Sequence, residues 1–149
     1  MNIQLTFKNI IDNPLCKVYI NDEIKFQGPV EQTISFDHYT TASALRIQFY
    51  DKMPEDTIVE NGVIIRDKSF ELEKIIIDNY DIQELVWQSN YLADNGETYP
   101  GCLFFGPTGS FILNFHLPIL HWILELRNEP GWQDDYNYYQ NACKLLTQI

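Results

Sequence analysis

Apolar and polar residues alternate with period two through most of the chain. Ile3, Leu5 and Phe7 alternate with Gln4 and Thr6, Leu45, Ile47 and Phe49 with Arg46 and Gln48, and Phe111, Leu113, Phe115 and Leu117 with Asn114 and His116. Successive side chains of a strand point to opposite faces, so these stretches predict half-buried strands. Between Val18 and Phe26 the pattern predicts a hairpin. A three-residue loop through Asn21, Asp22 and Glu23 pairs Val18 with Phe26 and Ile20 with Ile24, which keeps the apolar set on one face. A two-residue loop at Asn21-Asp22 would instead set Val18 against Lys25 and split that set. Gly28-Pro29 interrupts the pattern, and Val30, Ile34 and Phe36 resume it.

Residues 51–69 are mostly polar, with a short apolar island at Val63 to Ile65 and a strong turn signal at Asn61-Gly62, which predicts a long connection carrying a small hairpin. The run from Phe70 begins by alternating and becomes continuously apolar at Ile75 to Ile77, as a strand covered on both faces would. An irregular segment, 88–101, is rich in Tyr, Asn, Asp and Gly. Residues 103–117 then read as a second hairpin, with Pro107 presetting one turn angle and Gly109 free to turn left-handed. Pro118 suits the first turn of a helix, and Ile119, Leu120, Ile123, Leu124 and Leu126 follow at helical spacing.

After Gly131 the chain turns aromatic and polar. Asp134 or Asp135 can cap a second helix running through Ala142 and Leu146, or the segment is an arm that orders on docking to a neighbour. The elements together predict an all-β, jelly-roll-like antiparallel β-sandwich over residues 1–130 with one or two short C-terminal helices, the arm being residues 131–149.

Net charge and cysteine usage narrow the function. A formal charge of −11 repels a nucleic-acid backbone or an anionic membrane, and the ten Lys and Arg are scattered. Cys16, Cys102 and Cys143 have neither the pairing of a disulfide framework nor zinc spacing, and read as small buried residues. No basic region leads into an apolar stretch at the N-terminus, and no run reaches spanning length, so neither a signal peptide nor membrane insertion is expected.

Catalytic signatures are missing. Gly106 to Ser110 resembles a phosphate loop superficially, but the lysine is absent and the flanks read as strands. His38, His116 and His121 adjoin no nucleophile elbow and read as structural or solvent-facing. Asp51, Glu55, Asp56, Glu60, Asp67, Asp78 and Asp81 gather in loops that admit a calcium ion, although no twelve-residue calcium loop is present and a solvated reading is simpler. Trp87, Tyr91 and Tyr99 bracket the irregular segment and offer stacking faces for a sugar ring, with Asn90, Asp94 and Asn95 as polar partners; the plainer alternative is that Trp87 points into the core.

The strings from Asp67 to Ile82 and from Tyr99 to Leu126 resemble small structural proteins of tailed phages that infect marine cyanobacteria. The shared order is an Asp-Lys start at Asp67-Lys68, an Ile-x-Ile-Asp centre at Ile75 to Asp78, an aromatic loop, a Gly-rich turn at Gly106 to Gly109, and Pro118 to Leu124. More loosely it includes Leu45 to Phe49; the segment after Gly131 has no counterpart. The resemblance implies a fold like calcium-dependent carbohydrate-binding sandwiches and a place in the virion, with a stay in the host cytoplasm before assembly.

The resulting expectation is a non-enzymatic virion protein of tail, neck, baseplate or head surface, multi-copy or oligomeric, meeting other virion proteins through Trp132, Tyr136, Tyr138 and Tyr139. The alternative is a module that recognises a bacterial surface glycan, with or without calcium. No other cofactor and no resident metal ligands are expected.

Overall fold

In the computed structural model, which describes residues 1–126, the alternating stretches become antiparallel strands: β1 (Asn2–Ile11), β2 (Leu15–Ile20), β3 (Glu23–Pro29), β4 (Thr33–Asp37) and β5 (Ala44–Phe49). There follow β6 (Thr57–Glu60), β7 (Val63–Asp67), β8 (Ser69–Ile77), β9 (Tyr80–Asp81), β10 (Asn90–Ala93), β11 (Thr98–Pro100), β12 (Phe104–Phe105) and β13 (Gly109–Asn114). One sheet runs β12-β8-β1-β4, with β9 also on β8, and the other runs β11-β10-β13-β5-β2-β3. The β6–β7 hairpin stands apart from both. The arm at 131–149, its predicted second helix and Cys143 lie outside the described residues.

Burial follows the alternation closely. Ile3, Leu5 and Phe7 of β1, Val18 and Ile20 of β2, and Leu45, Ile47 and Phe49 of β5 are all at most 1% exposed, so both sheets turn one face into a shared core. Phe70 joins the layers: its ring lies 5.3 Å from that of Phe49 across the sandwich and stacks on Phe105 at 4.4 Å. Such aromatic contacts add to the burial of apolar area, which is the main favourable term. The helix α1 (Ile119–Leu126) turns Ile119, Trp122, Ile123 and Leu126 inward, with Trp122 at 6.3 Å from Phe115.

Three expectations need correction. The β2–β3 loop has two residues, not three: Tyr19 pairs with Ile24 and Ile20 with Glu23, while a bulge between Val18 and Tyr19 still lets Val18 meet Phe26. One extra residue at Lys25 restores the facing that an unbulged two-residue loop would lose, and Ile24 consequently faces outward at 49% exposure. Residues 103–117 are not a hairpin, since β12 pairs with β8 in one sheet and β13 with β5 and β10 in the other. The Gly106–Thr108 link therefore crosses between layers. Gly109 is needed for close approach, not for a turn, because a Cβ there would lie 2.4 Å from the Leu92 carbonyl oxygen. Finally, Ile76 is only half-buried, so β8 is not fully covered on both faces at Ile75 to Ile77.

Candidate functional site

The irregular segment forms one edge of the six-stranded sheet. A 3-10 segment, Gln83–Gln88, leads into β10, whose Tyr91 pairs with Tyr99 of β11 and with Phe111 of β13. Gly101, at φ +70°, then folds back on the 3-10 segment. Its N–H donates to the Ser89 carbonyl at 2.9 Å, and a Cβ built on it would stand 3.5 Å from the Trp87 Cα. Backbone contact thus brings Trp87 and the β11 edge together.

The three aromatics predicted to hold a sugar divide. Trp87 is 42% and Tyr99 38% exposed, whereas Tyr91 is fully buried and its hydroxyl donates to the Pro107 carbonyl. Burial, chiefly, raises the Tyr91 phenol above its ordinary pKa. Tyr91 therefore offers no stacking face: as the central member of an inward row it fills core beneath the edge. The Tyr99 hydroxyl donates to the Glu97 carboxylate, and that bond, then burial and the Glu97 charge, raises its pKa. At the tip, Asn95 accepts the Glu97 N–H at 2.9 Å, and Ala93 and Gly96 close the turn. Asp94 anchors the tip to Thr108 through its N–H at 2.9 Å. Asn90 faces outward from β10, with its side-chain oxygen buried and lacking a hydrogen-bond partner. The edge thus combines half-exposed rings with amide and carboxylate groups, the chemistry that grips a sugar's faces and hydroxyls.

The acidic loops are organised differently from a cation site. Lys52 places its ammonium 2.5 Å from Asp67 and donates to the Gly106 carbonyl at 2.7 Å. Lys68 lies 3.1 Å from Asp51 and 3.5 Å from Asp56. Further donors join them: Asp51 accepts the Leu15 N–H on its second oxygen, while the lysine-paired oxygens of Asp56 and Asp67 also accept the Met53 N–H and the Thr57 hydroxyl. Two ammonium groups fill the positions where a divalent cation would need open carboxylates. Among the described residues no group of three or more His, Cys, Asp or Glu is arranged to hold a metal, so this donor set does not fit calcium. Sequence spacing missed this because Lys52 and Lys68 lie in different segments, brought together only when the β6–β7 hairpin closes.

Other candidates are structural. His38 is 3% exposed and its Nε2 meets the Thr40 hydroxyl at 2.9 Å, while His116 pairs with Glu125 at 2.6 Å on the surface. Cys16 is buried, and desolvation above all pushes its thiol up to about 12, which leaves it unreactive in the folded protein. Trp132, Tyr136, Tyr138 and Tyr139 lie outside the described residues. No described helix is long and apolar enough to cross a membrane.

With this geometry in view, the fold has known counterparts. The chain is similar to vCBM60 in complex with galactobiose, with a TM-score of 0.54 and 11% identity over 76% of this chain and 98% of that one. A second structure of vCBM60, from work on circular permutation linking two families of calcium-dependent carbohydrate-binding modules, gives 0.55 and 8% over 76% and 89%. The chain shares their fold. The expected β-sandwich with a carbohydrate-module likeness is therefore met, while the likeness carries nothing about phage or host. No protein-family model and no curated sequence matches the chain.

Proposed function

We propose that this chain is a non-enzymatic carbohydrate-binding module that contacts glycan at the edge formed by Trp87 and Tyr99. The observation that carries the reading is the pair of half-exposed rings held to one edge by the Gly101 fold-back, beside hydrogen-bonding groups of the 94–97 turn. The likeness to two carbohydrate-binding modules over most of their length supports it. An aromatic ring binds the apolar face of a pyranose, and neighbouring amides and carboxylates choose among its hydroxyls. Binding here runs through side chains of the edge, since Lys52 and Lys68 already hold the Asp51, Asp56 and Asp67 carboxylates.

Service as a virion component is compatible with this reading, because a particle surface is one place where a glycan-binding module is useful. The comparisons support the glycan reading ahead of the assembly reading. The test is affinity electrophoresis through galactan gels together with a glycan array, on the wild type and on Trp87→Ala and Tyr99→Ala. The wild type should be retarded, and each variant should bind about tenfold more weakly, as loss of an anchoring aromatic does. Failure of the wild type to bind any sampled glycan sinks the reading.

A further inference from the structure

The outward face of the six-stranded sheet opposes the sign of the whole molecule. The chain carries 21 acidic and 10 basic residues, yet no Asp or Glu occupies an outward position in the paired registers of that sheet. At its centre, adjacent strands hold a block of four side chains: Tyr19 lies across from Arg46, and Lys17 across from Gln48. The Arg46 guanidinium sits 3.8 Å from the Tyr19 ring centroid, and the Tyr19 hydroxyl donates to Gln48 at 3.2 Å. The Lys17 ammonium lies 4.8 Å from the Tyr50 ring centroid.

These two cations differ from the other described ones. Lys8, Lys25, Lys52, Arg66, Lys68 and Lys74 each have a carboxylate within ion-pair distance. Among the described residues Lys17 and Arg46 have none, and neither side chain donates a hydrogen bond there; their contacts are with ring faces. A ring restrains the cation without consuming its N–H donors. The result is a pair of partly immobilised donors about 7–8 Å apart at the backbone, the diagonal spacing of neighbouring strands. The opposite sheet does the reverse, pairing Lys8 with Glu71 and Lys74 with Asp81.

We propose that this face is a second glycan platform, selective for polyuronate chains, in which Arg46 and Lys17 take sugar carboxylates while Gln48 and Ser110 meet hydroxyls. The inference rests on the glycan-binding reading and gives it a substrate class. Arg46 presents a planar fork that matches a planar carboxylate. Overall acidity sets the limit on charge density: repulsion from charges elsewhere on the protein is screened beyond about 8 Å at physiological salt. A chain with one carboxylate per sugar meets mainly the local cations, whereas a nucleic acid, with a charge every ~1.7 Å of duplex, meets the acidic surroundings as well.

The experiment is affinity electrophoresis and calorimetry with three probes: polygalacturonate, the same polymer fully methyl-esterified, and neutral galactan. Arg46→Gln, Lys17→Gln and Arg46→Lys are tested beside the wild type, with thermal melting to confirm folding. Wild type should bind polygalacturonate and not its methyl ester. Each Gln variant should weaken that binding about tenfold and leave galactan binding and melting unchanged, with Arg46→Lys intermediate because it keeps charge and loses the fork. Equal binding of the methyl ester, unaltered binding by the Gln variants, or equal binding of heparin or duplex DNA overturns the proposal. Galactan binding without polygalacturonate binding overturns this inference alone, and binding of neither overturns the glycan reading with it.

Discussion

Lys52 sets its ammonium 2.5 Å from an Asp67 carboxylate oxygen and donates to the Gly106 carbonyl at 2.7 Å, so one side chain ties the start of the β6–β7 excursion, its end, and the crossing between sheets. Lys52 is 13% and Asp67 24% exposed at the side chain, which makes the loss of one partner costly because the other is left desolvated. Lys52→Met should therefore lower unfolding free energy by about 1–3 kcal/mol, below the range for fully buried pairs. Urea titration checks this, and a variant indistinguishable from wild type would show that the ammonium contributes nothing net.

The same lysines bear on metal dependence. A cation bound to the folded state alone would raise stability by about 2.7 kcal/mol at a hundredfold excess over its dissociation constant. Since Lys52 and Lys68 already pair with Asp51, Asp56 and Asp67, melting in millimolar calcium and in chelator should coincide. A calcium-dependent rise in melting temperature would contradict the lysine assignment.

Lys68 gives the cluster a pH signature. Burial works against its charge, but the hydrogen bond and charge of Asp51, followed by those of Asp56, more than offset this and raise its pKa above 10.5. A base whose folded pKa exceeds its unfolded one adds stability that is fully present below the unfolded value and is lost as pH rises through the folded value. Wild type should thus lose stability above about pH 10.5 more steeply than Lys68→Met. Parallel denaturation midpoints for the two proteins over that range would remove Lys68 as the cause.

How far this could be foreseen depends on the range of the interaction. Alternation alone placed Ile3, Leu5, Phe7, Leu45, Ile47 and Phe49 in the core, because strand facing is a local property with a fixed period. Pairing was less legible: the turn after Phe105 looks the same whether β13 returns to β12 or crosses to the other sheet, and only the stacking of Phe105 on Phe70 distinguishes them. The aromatic edge was legible as a segment but not residue by residue. Trp87, Tyr91 and Tyr99 have similar chemistry, and their exposure is decided by placement: Tyr91 lies between two strands, Tyr99 on the edge strand and Trp87 in the 3-10 segment. Arg46 was visible as a polar position of an alternating strand, but its stacking on Tyr19 needs the β2–β5 register, which no local pattern carries.

Gly109 tests the crossing. A Cβ on this residue would lie 2.4 Å from the Leu92 carbonyl oxygen and 2.8 Å from the Ala93 Cα, backbone atoms of the adjacent strand that cannot rotate away. Gly109→Ala should cost about 3 kcal/mol, the upper end for overpacking, through separation of β10 from β13. Amide exchange would show the opening first at Asp94, whose N–H donates to the Thr108 carbonyl. Unchanged protection there would mean that the two strands part without loss.

Tyr91 separates the packing role from the binding role. Its ring is in edge contact with Phe105 at 5.2 Å and its hydroxyl donates to Pro107, so Tyr91→Phe removes one buried hydrogen bond and keeps the ring. The expected cost is about 1–2 kcal/mol, with galactan binding unchanged once the protein is folded. Trp87→Ala and Tyr99→Ala should do the opposite, weakening binding with less than about 1 kcal/mol lost from stability, because their rings are already part-exposed. Chemical denaturation and galactan affinity, measured on the same preparations, give both numbers for each variant. If Tyr91→Phe abolished binding while melting like the wild type, the ligand would have to reach the core row, and the edge would be the wrong place to look.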